Sequence, residues 1–191
     1  EATPHHLFLT ENDYRKQKGF AKMFPSLKKK KDQDALWKAI DEGIIDTIGS
    51  DHAPHSPEEK KRDDPPGGVP GEETLLPLLL DAVNRKKLSL KRVVELTSGN
   101  PAGIFGIRGK GAIARGYDAD LTIVDMGLKR EVKDEDLFTK CGWSPFNGRK
   151  LRGWPVTTIC RGRVVFDHGK LYKNRGKEVV FRGVKNEGAE P

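Results

Sequence analysis

From Ile44 to His55 the chain reads Ile-Ile-Asp-Thr-Ile-Gly-Ser-Asp-His-Ala-Pro-His, a strand-forming run that ends abruptly in acid, imidazole and proline. Apolar Ile44, Ile45 and Ile48, with β-branched Thr47 among them, predict a strand buried on both faces of a parallel sheet. The chemistry of such a strand sits at its carboxyl end, where the chain turns outward. Asp51 and His55 are therefore expected at the mouth of a pocket. An acid and an imidazole there can bind a metal, move a proton or hold an anion.

The flanking pattern alternates helix and strand. Residues 1–10 predict a short strand and a turn, with Thr10 capping a helix through Asp13. Residues 15–31, basic and interrupted by Gly19 and Pro25, predict an exposed loop. Asp32 to Ile40 reads as a helix with Ala35, Leu36, Ala39 and Ile40 on one face, ended by Gly43. Residues 56–71 predict a long loop, of the kind that is functional or disordered in compact domains. Glu72 to Lys86 is apolar on nearly all sides and predicts a buried helix, with Pro77 near its start. Ser89 caps a second helix carrying Leu90, Val93, Val94 and Leu96, Asn100-Pro101 stops or turns it, and Ala102 to Phe105 suits a further short helix.

Near Gly109 the pattern changes. Leu121–Val124, Val156–Ile159, Arg163–Phe166 and Val179–Phe181 are short β-branched runs. Arg161-Gly162 and Asp167-His168-Gly169 mark hairpin turns. The second part is expected to be all-β, with a boundary at about residues 106–112 and a frayed tail beyond Asn186.

The 191 residues fit one large domain or two small ones. Net charge is +7, but the 35 Lys and Arg are spread along the chain, and the dense run Lys28–Lys31 has no aromatic residues interleaved. It reads as a solvated loop or helix start rather than a nucleic-acid interface. Cys141 and Cys160 form neither a disulfide framework nor a cysteine zinc site, which suits a reducing cytoplasm. No apolar run reaches the roughly 18 residues that a membrane span needs.

Three strings stand in order: Thr3-Pro4-His5-His6-Leu7, Ser50-Asp51-His52-Ala53-Pro54-His55 and Gly68-Val69-Pro70-Gly71-Glu72-Glu73-Thr74. With Asn100-Pro101-Ala102, Gly116-Tyr117-Asp118-Ala119-Asp120-Leu121 and Ser144-Pro145-Phe146-Asn147-Gly148, they make residues 1–172 resemble the carboxyl-terminal half of the dihydroorotases, cyclic amidohydrolases of the amidohydrolase superfamily. The resemblance implies an α/β fold, with the last strands and helices of a (β/α)8 TIM barrel over residues 1–108, a small β-rich sandwich domain over 109–185 and a tail over 186–191. Ile44–Ser50 would be the last barrel strand. A complete barrel takes about 250 residues, and Glu1 to Leu7 reads like the middle of a domain, so an incomplete chain is expected.

The resemblance further implies reversible hydrolysis of L-dihydroorotate to N-carbamoyl-L-aspartate, a step of pyrimidine synthesis. It implies zinc, two ions per complete active site, with most ligands upstream of this chain. The His-x-His pair of the family has no counterpart here, and the last-strand aspartate of the family matches Asp51. Asp51 would bind metal and shuttle the proton, while His55 and the backbone N–H groups of Gly67 and Gly68 would hold the substrate carboxylate. The plain alternatives are an aspartate capping a turn, a histidine bonded to backbone, and glycines that simply turn the chain. His52, directly after the acid, is expected to pack or support rather than ligate, and His5 and His6 are expected to be structural, because neighbours on a strand face opposite ways. Phe24 stands where the family usually has Asn or Arg before a proline, and a polar substrate contact is lost there or transferred to Lys22 or Lys28.

The implied partners are the small-molecule substrate, the rest of the same polypeptide, and either a second copy or an aspartate transcarbamoylase. Neither membrane nor nucleic acid is expected. The alternatives are an allantoinase or hydantoinase, and a non-catalytic dihydroorotase-like subunit.

Overall fold

The computed structural model describes residues 1–182. The expected tail beyond Asn186 lies outside them. Pro4 opens a helix instead of continuing a strand: α1 spans Pro4–Phe8, with proline in the first turn, where its missing N–H costs nothing. This corrects the strand expected over residues 1–10, of which a single bridge from Ala2 to Ile48 remains. The Thr10–Asp13 capping box starts α2 (Glu11–Gln17), and a 3₁₀ turn follows at Lys18–Ala21. The loop expected over 15–31 is thus partly helical, and it buries Ala21, Met23 and Leu27. Helix α3 (Lys30–Asp41) ends at Gly43, whose φ of 75° closes it.

The segment after α3 is less regular than its sequence promises. Ile45 and Thr47 are buried on one face, but on the other Ile44 is 68% exposed and only Ile48 is buried, so the second face packs at one end alone. Ladder hydrogen bonds need a neighbour, and the neighbour here is Ala2: its N–H donates to Thr47 O, and its carbonyl accepts from Gly49. The pairing is parallel, as expected for this run, but it stops at one bridge.

Helix α4 (Pro57–Lys60) interrupts the expected long loop, and α5 (Glu72–Asn84) follows it. Leu78, Leu79 and Leu80 are fully buried because α5 lies between two apolar clusters. On one side Ala2, Leu7, Ile40, Ile45, Ile48 and Val93 surround Leu79. On the other, Met23, Leu27, Val69, Trp143, Phe146 and Leu151 surround Leu78. A helix covered on both sides must be apolar all round. Ser89 caps α6 (Leu90–Val94) through Arg92 N–H, and a π turn at Glu95–Gly99 leads into α7 (Asn100–Ile104).

The rest is a four-stranded antiparallel meander of β1 (Leu121–Glu131), β2 (Lys150–Cys160), β3 (Arg163–Asp167) and β4 (Lys170–Leu171). Both tight turns are two-residue loops with positive φ throughout, Arg161-Gly162 and His168-Gly169, which match the twist of the strands they join. The run Val179–Phe181 contributes one bridge, Phe181 to Ile107, rather than a strand. Helix α5 docks on β2. Asn84 Nδ2 donates to the carbonyls of Leu80, Met126 and Arg152, and Asp81 Oδ1 accepts from Arg152 N–H. Gly153 permits this approach, for its φ is 101° and a Cβ there would stand 2.7 Å from Leu80 Cβ.

Candidate active site

The polar string after Gly49 leaves the parallel bridge at its carboxyl end. Asp51 has a left-handed backbone (φ 46°), and its side chain is 53% exposed. Its Oδ2 lies 3.6 Å from His5 Nε2. His5 is buried at the start of α1, and among the described residues its Nε2 has no hydrogen-bond partner. Burial, then the neighbouring His6, lowers the His5 pKa to about 4, so this imidazole is neutral at pH 7. His6 Nε2 donates to Pro25 O at 2.9 Å, which leaves Nδ1 to accept from Thr3 Oγ1 at 2.7 Å. The two histidines sit on a helix, not a strand, and their rings approach to 4.5 Å. The strand argument for opposite faces therefore does not apply to them.

His52 faces away from this group. Its Nδ1 accepts from the N–H groups of Gly71 and Glu72 and caps the amino end of α5. That is the structural part expected of it.

His55 is held on three sides. Its Nε2 donates to Gly67 O at 3.2 Å, its Nδ1 lies 3.8 Å from Glu59 Oε2, and its carbonyl accepts from Trp143 Nε1 at 2.8 Å. Gly68 packs so closely that a Cβ would stand 2.5 Å from Ala53 Cβ, and its φ of 123° excludes ordinary side chains. Ala53 N–H donates to Val69 O, which ties the acid-bearing string to the glycine loop. The two glycine amides differ. Gly68 N–H is already bonded to Lys22 O at 2.9 Å, whereas Gly67 N–H has no acceptor among the described residues. The ring of Phe24 lies against Gly67 and is 73% exposed.

Sequence reasoning missed His5, Trp143 and Lys60 as members of this neighbourhood. Lys60 is 2% exposed, and its Nζ donates to three carbonyls, Lys22 O, Pro66 O and Gly68 O. A signal was available: Ser56-Pro57-Glu58-Glu59 is a capping box, realised by Ser56 Oγ and Glu59 Oε2, and it starts the turn that carries Lys60 inward. Pro4 before the histidine pair is likewise a helix-start signal.

Among the described residues no cluster of three or more metal-ligand side chains occurs. An open groove of about 780 Å³ lies elsewhere, lined by Arg161, Arg163, Lys173 and Arg175, and a second of about 620 Å³ borders the acid-bearing string itself, lined by His52 and Pro54 with Glu73 and Phe138. Among the described residues no helix is long and apolar enough to cross a membrane. The Lys28–Lys31 run is a helix start, with Lys30 paired to Asp34.

Fold and site together define a scaffold of the α/β class that gathers its acid and imidazole groups at the carboxyl end of a parallel pair. The chain belongs to the amidohydrolase family, whose model matches residues 8–165. It is 45% identical over 184 residues to a dihydroorotase of Pyrococcus furiosus, covering 96% of this chain and 43% of that protein. It is 44% identical over 181 residues to a dihydroorotase of Halobacterium salinarum, covering 94% of this chain and 43% of the relative. Among solved structures, L-hydantoinase (dihydropyrimidinase) from Arthrobacter aurescens superposes with a TM-score of 0.85 at 35% identity, covering 90% of this chain and 40% of that one. D-hydantoinase from Thermus sp. gives the same TM-score at 29% identity. The chain thus spans about two fifths of the length of the relatives it matches.

Proposed function

We propose that this chain is the carboxyl-terminal part of a dihydroorotase that hydrolyses L-dihydroorotate reversibly to N-carbamoyl-L-aspartate in pyrimidine synthesis. The observation that carries this reading is Asp51, an open carboxylate at the end of the parallel pair, in a chain 45% identical to a dihydroorotase. The complete molecule would close into a (β/α)8 barrel, with residues 109–182 in a small β domain.

The donor set fits a share of a metal site. Asp51 offers a half-exposed carboxylate, and the orphaned His5 Nε2 behind it is a neutral nitrogen. Asp51 would hold the metal, and the remaining ligands would come from outside this chain. Bound zinc, two ions in the complete site, supplies the Lewis acidity that activates water and polarises the ring carbonyl.

Asp51 takes a proton from the attacking water as the C–O bond forms, then delivers it to the ring nitrogen as the C–N bond breaks. The neutral imidazole of His5 places no positive charge beside that carboxylate. The Gly67 amide orients the substrate carboxylate, and His55 joins it by turning Nε2–H from Gly67 O to the carboxylate, with the residue itself held by Glu59 and Trp143. The small-molecule substrate, the remainder of the polypeptide and either a second copy or an aspartate transcarbamoylase are the partners of this reading, and a reducing cytoplasm is its place.

In the full-length protein, Asp51→Ala should lower turnover of L-dihydroorotate by at least about 100-fold, the lower range for a general acid–base group. Normal turnover by that variant would overturn the role. A hydantoinase reading has one specific observation in its favour: Phe24 places an apolar ring against Gly67 where dihydroorotases usually carry a polar contact. Turnover of 5-substituted hydantoins above L-dihydroorotate would decide for it. Loss of all turnover in a folded full-length protein would favour the non-catalytic subunit.

A further inference from the structure

Lys60 is one of the largest fully buried side chains among the described residues. An ammonium has three protons, and here each meets a main-chain carbonyl: Pro66 O and Gly68 O at 2.8 Å and Lys22 O at 3.2 Å. No carboxylate pairs with it among the described residues. The charged groups around it are engaged with one another, Lys22 with Asp64 at 2.5 Å and His55 with Glu59 at 3.8 Å. The Trp143 ring lies 5.8 Å from Nζ, and that same indole donates to His55 O. A buried charge without a counter-ion is costly. Three carbonyls drawn from two separate loops offset that cost and are fixed by it.

The fixed carbonyls lie on either side of Gly67. The Pro66–Gly67 peptide is trans, so its N–H points opposite to its C=O. With Pro66 O turned to the ammonium, the Gly67 N–H is turned away from it. This is the amide that has no acceptor among the described residues, and its own carbonyl binds His55 Nε2. A cation on the carbonyl oxygen also draws electron density from the amide nitrogen and makes that N–H a stronger donor.

We propose that Lys60 is a positioning residue: through Pro66 O and Gly68 O it aims and polarises the Gly67 N–H as a donor to the substrate carboxylate beside His55. Lys60 does not itself touch substrate. The inference deepens the reading of His55 and Gly67 given above and rests on it. Burial, and then Lys22, lower the lysine pKa to about 8, so the charge that does this work can be removed by pH without mutation.

Two measurements test it. In the full-length enzyme Lys60→Met should raise KM for L-dihydroorotate about tenfold, the size of one hydrogen bond to a charged group, while kcat stays within about twofold. Unchanged KM in a folded variant would overturn the proposal, as would a fall in kcat alone. The second measurement needs no variant: the Gly67 amide nitrogen, followed by carbon-detected NMR in the unsubstituted protein between pH 7.5 and 10, should move upfield with a midpoint near 8, the value expected for Lys60. A flat Gly67 signal over that range would overturn the proposal even if Lys60→Met fails to fold. His55→Ala separates the two claims, for unchanged KM there would refute carboxylate binding at this site, while the amide titration still reports on Lys60.

Discussion

Asp51 combines an open carboxylate with a backbone angle that L-residues reach at a cost of about 1–2 kcal/mol. Glycine carries no such cost. Asp51→Gly should therefore be more stable than Asp51→Ala by about 1 kcal/mol in urea unfolding, although both lose the carboxylate. Equal midpoints would show that the strain is not felt. Lys60 sets a pH dependence of stability. Its folded pKa of about 8 lies below the ordinary 10.5, so between these values the unfolded chain binds more protons there. The cost of burying the charge is fully present below pH 8 and is relieved as pH rises toward 10.5. The stability difference between the unsubstituted protein and Lys60→Met should shift in favour of the former across that window. A difference independent of pH would contradict the burial argument.

Helix α5 and the sheet it meets are where element-level forces are easiest to test. Asn84→Ala removes the donor that reaches Leu80, Met126 and Arg152, and should cost about 1–3 kcal/mol in chemical unfolding. A loss below about 0.5 kcal/mol would mean that water replaces the amide there. The helix itself was legible in the sequence because its apolar residues run all round, and the two hairpins because glycine follows a polar residue at each turn. The capping residues Thr10 and Ser89 were legible for the same local reason. The run Ile44–Ser50 was misread on its packing, since its sequence records what a strand could bury and not which neighbours it has. Ala2 supplies one bridge, and Ile44 is left exposed. Asp51 and His55 stand out in the sequence as the acid and imidazole that end the apolar run, whereas the glycine loop is singled out only by the family resemblance. For His5 and Lys60 only the local helix starts at Pro4 and Ser56 were legible, and for Trp143 nothing was, because their partners come from distant segments, as when Trp143 Nε1 reaches His55 O across 88 residues.

At the scale of the molecule, the family membership and the short span of the chain meet in one expectation. Among the described residues no three metal-ligand side chains come together. The purified 191-residue chain should therefore show no zinc-dependent hydrolysis of L-dihydroorotate above the uncatalysed rate, while the full-length protein does. Measurable turnover by the short chain would refute that division of the site. The position of α5 between two apolar clusters has a further result for how the chain comes apart. Leu78 and Leu79, adjacent on one helix, belong to opposite clusters, and Val132, Trp143, Phe146 and Leu151 from the later half complete the cluster around Leu78. Neither half can loosen without stripping the other of its lining. A cut at the glycines near residue 109 would sever the backbone but leave the fragments dependent on each other, and heating should melt both in a single step.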